Sequence, residues 1–303
     1  MSIRVLTPAK VNLVLGVGPR RADGFHDLAT VYYALDLHDE LVVGDRDDDR
    51  IVLTVTGSQP SLRRLPLDGR NLVVRAARLL ADRFAHRRGA GITLHKNIPL
   101  TAGLAGGSSD AAATLVACNA LWGLGLELDD LLPMAAELGS DVPFCLLGGA
   151  VLGSGRGELV TPVPVAGVQH WVLVLADGGL STPAMFAALD RSRDRGAAGP
   201  PTTAVPANLL SALADGDVAG IGAGMTNDLE PVALAARPDL SRVLATARGA
   251  GAAGALVSGS GPTCAVLAHD AASAGRIAVA LRAARVGRQV LVTTGPALGA
   301  RIG

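Results

Sequence analysis

Apolar positions recur at a spacing of two in "IRVLTPAKVNLVLGV" (3–17), "RIVLTVTG" (50–57) and "GITLHKNIPL" (91–100), and Val31 to Leu37 is a β-type apolar run, which together predict strands. The first of these is a strand pair or one strand bent at Pro8, and Asp23-Gly24 marks the turn after it. The period changes in "NLVVRAARLLADRFAHRRG" (71–89), where Leu72, Ala76, Leu79, Leu80 and Phe84 share one face behind Asn71, a helix with its cap. Further helices are predicted in "SDAAATLVACNALWGL" (109–124) and "LDDLLPMAAELG" (128–139), the second broken by "SDVPF" (140–144). In the other half, 149–163 and 170–179 read as strands, and "RSRDRGAAGPPTTAVPANLL" (191–210) as a mobile loop rich in Gly, Pro and charge. Helices are expected near 211–225, 240–250 and 271–286, a strand–glycine turn–strand at 254–268, and a last strand at 288–295. There is no tandem repeat. The pattern is α+β with two lobes, dividing near residues 150 to 160.

Composition narrows the function. The 303 residues are 49% hydrophobic with 38 glycines and only 3% aromatic, so the interior is built mainly from Ala, Val and Leu. Basic and acidic residues number 27 each, which removes the broad positive field that nucleic-acid binding needs. Cys118, Cys145 and Cys264 form no CxxC pair, which argues against a zinc site or a disulfide scaffold and fits a reducing compartment. "MSIRVLTPAK" lacks the apolar core of a signal peptide, and the apolar stretch from Ala111 to Leu126 is too mixed to span a bilayer. A cytoplasmic protein without a membrane partner is the expectation. Lys10 and Lys96 are the only lysines among the 27 basic residues, either chance survivors of a strong bias toward arginine or places where a compact ammonium does what a planar guanidinium cannot.

The stretch "PLTAGLAGGSSDAAA" (99–113) joins a predicted strand to a predicted helix with almost no side chains. Either two backbones pack closely there, or bare peptide N–H groups hold an anion at a helix start, with Gly103, Gly106 and Gly107 allowing its approach and Ser108 and Ser109 capping or donating. It is neither a Walker A loop nor GxGxxG. The loop alone leaves both readings open.

The stretch resembles the signature of the GHMP kinases, the superfamily of galactokinase, homoserine kinase and mevalonate kinase, in which this loop wraps ATP phosphates. "PAKVNLVLGVGPRRADGFHDL" (8–28), "ELGSDVPFCLLGGAVLGSGRGE" (137–158), "NDLEPVA" (227–233) and "SGSGPTCAVL" (258–267) are similar to one branch of it, the 4-diphosphocytidyl-2-C-methyl-D-erythritol kinases. That resemblance runs nearly end to end. It implies a two-lobed GHMP-kinase-like fold, with residues 1–155 as the nucleotide-binding lobe and 156–303 as the substrate lobe. It also implies ATP-dependent phosphorylation of the 2-hydroxyl of the cytidyl alcohol, with Mg²⁺ arriving on the nucleotide and no protein ligand to the metal assigned.

By the same resemblance Asp141 is the base that takes the hydroxyl proton, and Lys10 lies beside it. An aspartate next to an ammonium stays ionised and can accept a proton in a phosphoryl transfer. Pro99, Leu100, Thr101, Ala102, Gly103, Leu104, Ala105, Gly106, Gly107, Ser108 and Ser109 are expected around ATP, with Asn71 and Lys96 bordering its adenosine end. Phe25 and His26 are expected to hold cytosine by stacking and hydrogen bonding, and Asn12 to touch the substrate. Phe25 stands where the branch more usually has tyrosine. Ala105 stands where most members have glycine, which is acceptable only at negative φ. "SGSGPT" is expected to support the loop from behind. The rival readings are a mevalonate kinase or diphosphomevalonate decarboxylase, whose substrates carry no base for Phe25 and His26 to hold. A nucleotide-binding relative without chemistry, or a domain of packed small residues with no phosphate site, are the others.

Overall fold

The computed structural model of the protein describes residues 2–86, 89–100 and 102–303. β1 (Ser2–Arg20) and β2 (His26–Asp45) form a long antiparallel hairpin. The stretch around Pro8 is therefore one strand, and its register slips between Pro8 and Ala9. Proline has no N–H for the ladder, and a bulge lets the strand continue past it. β3 (Ile51–Thr56) is followed by α1 (Leu72–Arg83), capped as expected by Asn71, and by β4 (Ala90–His95). β4 pairs parallel with β3 and antiparallel with β2. Next come α2 (Gly106–Trp122), α3 (Leu128–Leu138) and α4 (Val142–Leu147). The break at "SDVPF" is real, but a further short helix starts there, because Pro143 falls in its first turn where the missing N–H is no loss. β5 (Ala150–Ser154) returns to β2, and β6 (Leu159–Val163) pairs with β5.

The second half runs β7 (Gln169–Leu175), α5 (Thr182–Asp194), α6 (Ala207–Asp215), α7 (Val218–Gly224), β8 (Thr226–Asn227) and α8 (Glu230–Ala236). It ends with α9 (Asp239–Gly249), β9 (Gly254–Val257), β10 (Cys264–Ala268), α10 (Ala271–Ala283), β11 (Gln289–Gly295) and β12 (Arg301–Ile302). Two expectations are corrected. The loop predicted from residue 191 begins only after Asp194, since Arg191 and Arg193 form the basic last turn of α5, where cations suit the helix carbonyls. The single helix predicted over 211–225 is two, because Gly216 turns left-handed at the end of α6 and Asp217 caps α7. The sequence pattern also missed α8.

Strand alternation builds three cores. On β2, Tyr32 and Ala34 face α1–α4, while Val31, Tyr33 and Leu35 face the other way. On β7, Trp171, Leu173 and Leu175 meet that second face, and Val172 and Val174 join residues of α5, α9 and α10. A four-stranded antiparallel sheet, β11-β7-β10-β9, thus packs against the eight-stranded one, with Tyr33 and Trp171 rings 5.5 Å apart at the joint. This is the two-lobed α+β architecture expected. The larger sheet also takes β8 and β12 from the second half, both along β1. No helix among the described residues is long and apolar enough to cross a membrane.

Trp171 is fully buried where the two sheets meet. Trp171→Ala is expected to lower the unfolding free energy by about 3–5 kcal/mol in urea denaturation. A loss under about 1 kcal/mol would mean that the sheets do not share this core.

Candidate active site

A cleft of about 760 Å³ opens between the glycine loop, the β1–β2 hairpin and the first turns of α5. β1 organises it. The backbone N–H of Lys10 donates to the Leu104 carbonyl at 3.2 Å. One turn further on, the Thr7 hydroxyl donates to the Ser109 carbonyl at 3.0 Å, and the Ser109 hydroxyl donates to the Pro8 carbonyl at 2.7 Å. From the far side the Thr263 hydroxyl donates to the Ala102 carbonyl at 2.6 Å. The "SGSGPT" turn therefore supports the loop as expected, although its Gly259 and Ser260 also line the cleft.

The loop's small residues have two separate reasons. A Cβ on Gly103 would lie 3.2 Å from the Gly261 carbonyl at φ +73°, and one on Gly106 would lie 3.1 Å from the Lys96 ammonium. Those are close-packing requirements. A Cβ on Gly107 would meet only a Leu72 methyl at 3.8 Å, and Gly106, Gly107 and Ser108 line the cleft. Among the described residues no side chain caps α2. A helix start of this kind presents free N–H donors and the positive end of its dipole to an anion. Pro99, Leu100, Ala102, Gly103, Leu104 and Ala105 complete that wall. Thr101 lies outside the described residues. Ser109 is buried and spent on β1, so only Ser108 of the two serines faces the cleft. Ala105 overturns the expectation of negative φ. It adopts φ +58°, ψ +22°, the left-handed region, because the chain must reverse there into α2 whichever residue stands at the position.

Lys10 and Asp141 meet in the same cleft, Nζ to Oδ2 3.6 Å apart. Asp141 precedes α4 but caps nothing with its side chain, so its carboxylate is free for other work. The Lys10 ammonium also donates to Asn12 Oδ1 at 2.7 Å, and the Asn12 amide donates to the Thr30 hydroxyl at 2.7 Å. Asn12 thus lines the cleft and orients Lys10 at once. Tyr32, which sequence reasoning passed over, lies under Lys10 with its ring centroid 5.5 Å from Nζ. Burial, and next the charge and hydrogen bond of Asp141, push the Tyr32 hydroxyl well above its ordinary value, so it remains a donor toward that carboxylate.

The remaining lysine has different surroundings. The Lys96 ammonium is buried between Asp39 and Asp110, the latter at 2.8 Å. Burial pulls its pKa down, but the two carboxylates outweigh that and the net shift is upward. Asp110 moves strongly upward through burial, against the pull of Lys96, and its Oδ1 has no hydrogen-bond partner among the described residues. Lys96 borders a second cavity of about 570 Å³ that shares Pro99 with the cleft. The Asn71 amide is occupied at both ends, accepting from the Val73 N–H and donating to the Pro66 carbonyl. Its neighbour Leu72 is the residue that reaches the cleft.

At the hairpin end, Phe25 is 53% exposed and the Arg156 guanidinium lies 5.3 Å from its ring. His26 is buried, stacked on Phe186 at 5.1 Å, with Nε2 2.8 Å from Asp190 Oδ1. Phe186 and Asp190 were missed because α5 was hidden by its charged end. The scarcity of aromatic residues was the signal that could have found Phe186. Among the described residues no cluster of three or more His, Cys, Asp and Glu side chains could hold a metal ion.

An alanine held left-handed stores roughly 1–2 kcal/mol of strain, part of which glycine would return as chain entropy on unfolding. Ala105→Gly should therefore stabilise the protein by about 0.5–1 kcal/mol, and Ala105→Val should destabilise it, both read from thermal unfolding. The opposite order would contradict the left-handed conformation.

Family models for the GHMP kinases N terminal domain and the GHMP kinases C terminal region match residues 71–149 and 209–286. A Thermobifida fusca protein named 4-diphosphocytidyl-2-C-methyl-D-erythritol kinase is 50% identical over 305 residues, covering 99% of this chain and 98% of its own. A Streptomyces coelicolor protein of the same name is 49% identical over 302 residues, covering 100% and 99%. A crystal structure of 4-(cytidine 5'-diphospho)-2C-methyl-D-erythritol kinase superposes with a TM-score of 0.76 at 35% identity, over 97% of this chain and 98% of that one. The phosphate-type loop and the lysine–aspartate couple thus lie within a sequence shared from end to end with kinases, and the chain belongs to the GHMP kinases, small-molecule kinases that draw on ATP.

Proposed function

We propose that this protein transfers the γ-phosphoryl group of ATP to the 2-hydroxyl of 4-diphosphocytidyl-2-C-methyl-D-erythritol, a step of non-mevalonate isoprenoid precursor synthesis. The names of relatives sharing half its residues over the full chain support that acceptor. The observation that carries the site assignment is the 3.6 Å Lys10–Asp141 couple set beside an uncapped helix start in one cleft. The triphosphate lies along Gly106, Gly107 and Ser108. Its adenosine end runs past Pro99 toward the second cavity, where Lys96 contributes its stem and backbone while its charge stays in the core. Asn71 acts by starting α1 and so placing Leu72.

At the other end, the exposed Phe25 ring offers a stacking face for cytosine, favourable by roughly 1–3 kcal/mol in comparable sites, and His26 offers a hydrogen bond. The missing tyrosine hydroxyl leaves that face intact. With base and triphosphate fixed at opposite ends, the alcohol is held against the Asp141 carboxylate. Asp141 takes the hydroxyl proton as oxygen attacks γ-phosphorus and ADP departs, and Lys10 and Asn12 keep positive charge beside the transferring group. Magnesium fits as a companion of the nucleotide. It is commonly held largely by phosphates and waters, and the cleft would add the Ser108 hydroxyl at the loop. It would neutralise charge on the phosphates. ATP as donor is in keeping with a reaction in the cytoplasm.

Asp141→Asn keeps the shape of the side chain and removes the proton acceptor. Turnover of the cytidyl alcohol with MgATP should fall by about 10²–10⁴-fold while binding of a non-hydrolysable ATP analogue is kept. Equal loss of both would give Asp141 a role in folding. ADP release with mevalonate and none with the cytidyl alcohol would defeat the assigned acceptor.

A further inference from the structure

We infer that Asp190 sets the base selectivity of the site by fixing which nitrogen of His26 carries the proton, so that the cleft takes a cytosine-bearing substrate and rejects its uracil counterpart. The inference rests on the cytidyl reading above and adds to it a positioning residue. His26 opens β2 opposite Arg20, so its backbone is held by the hairpin. Among the described residues, its ring contacts come from α5. Phe186 stacks on it at 5.1 Å and an interplanar angle of 26°, and Asp190 meets Nε2 at 2.8 Å. Those two residues are four apart on one helix, hence on one face one turn from each other. One helical face supplies both the plane of the ring and its rotation within that plane.

An ionised carboxylate has no proton to give, so Nε2 must be the donor in this pair. In the neutral ring Nδ1 is then an acceptor. Nδ1 makes no hydrogen bond among the described residues, nor does it count among their buried, unpartnered atoms. His26 lines the cleft beside Phe25, and the free nitrogen is the one left for a ligand. On this edge cytosine presents an N4 amino donor and an N3 acceptor, where uracil presents an O4 acceptor and an N3–H donor. An acceptor nitrogen that meets position 4 of the base pairs with the cytosine amino group and faces the uracil oxygen lone pair to lone pair. A site that hydrogen-bonds one substrate group rejects the analogue lacking it because its own polar atom is left unpaired. Asp190 acts only through the imidazole, and no bond to it is made or broken in the reaction.

The test compares cytidyl and uridyl forms of the substrate, with MgATP, in the wild type, Asp190→Leu and Asp190→Asn. The wild type should prefer the cytidyl form. Asp190→Leu removes the acceptor, and the ratio of kcat/KM values should shrink by about 10-fold or more, with KM for the cytidyl form rising more than kcat falls. Asp190→Asn retains an oxygen that can accept from Nε2 and should keep most of the preference. A ratio unchanged in Asp190→Leu overturns the inference. Nitrogen-15 spectra of the wild-type protein without substrate decide the tautomer separately, and also if Asp190→Leu does not fold. A proton on Nε2 with a bare Nδ1 is expected, and a proton on Nδ1 overturns the inference. Failure of the wild type to phosphorylate either form would defeat the cytidyl reading and leave the spectra to judge the role of Asp190.

Discussion

The fastening of β1 to the start of α2 is the constraint from which the site follows. A loop made of Gly and Ala has almost no side chains with which to hold its own shape, and glycine loses more backbone entropy on ordering than any other residue. Its shape is imposed by neighbours. Asp39 holds the entrance, accepting from the Asn97 and Ile98 N–H groups while pairing with Lys96. Lys10 and Thr263 take the two carbonyls in the middle, and Thr7, Pro8 and Ser109 lock the exit. The residue whose backbone holds Leu104 is also the residue whose ammonium faces Asp141. The glycine loop and the Lys10–Asp141 couple therefore share one strand as their reference, an arrangement that, under the proposed function, would keep a phosphoryl group and an attacking oxygen in register.

The two lysines show how burial divides the work between chemically identical groups. Lys96 is sealed with two carboxylates, and its high pKa keeps it charged and immobile. Removing one member of such a buried group strands the charge of another, at a cost of about 3–5 kcal/mol, so the triad anchors the loop and the first turn of α2. Lys10 is also shielded, but it opens to the cleft through a single carboxylate 3.6 Å away and an amide that fixes its direction. One ammonium is closed off in the core; the other reaches the cleft.

The cleft belongs to neither half of the chain. Lys10, Phe25 and His26 come from the first hairpin, Gly106 to Ser108 from the start of α2, and Phe186 and Asp190 from α5. β8 and β12 close the larger sheet along β1, and the middle core is filled from both sheets. Under the proposed function, the side that would hold the base draws on both β2 and α5.

Strand alternation, the capped α1, the glycine loop between a strand and a helix, and the rarity of lysine were all readable from residue order, because each depends on neighbours a few positions away. Lys10, Asp141, Phe25 and His26, singled out through motifs that carry them as sets, all line the one cleft. What residue order left open was decided by contacts between distant segments. The helix α5 ends in a run of arginines that looks like a solvated loop, and only its packing through Met185 and Leu189 shows it to be a helix that brings Phe186 and Asp190 to His26. Ser108 and Ser109 are adjacent and identical in type, yet one lines the cleft and the other is consumed by a carbonyl 101 positions earlier. Lys10 and Lys96 differ in the same way. A local pattern specifies which backbone conformation a segment prefers, but whether a polar group is free to meet a ligand depends on whether some remote atom has already taken it.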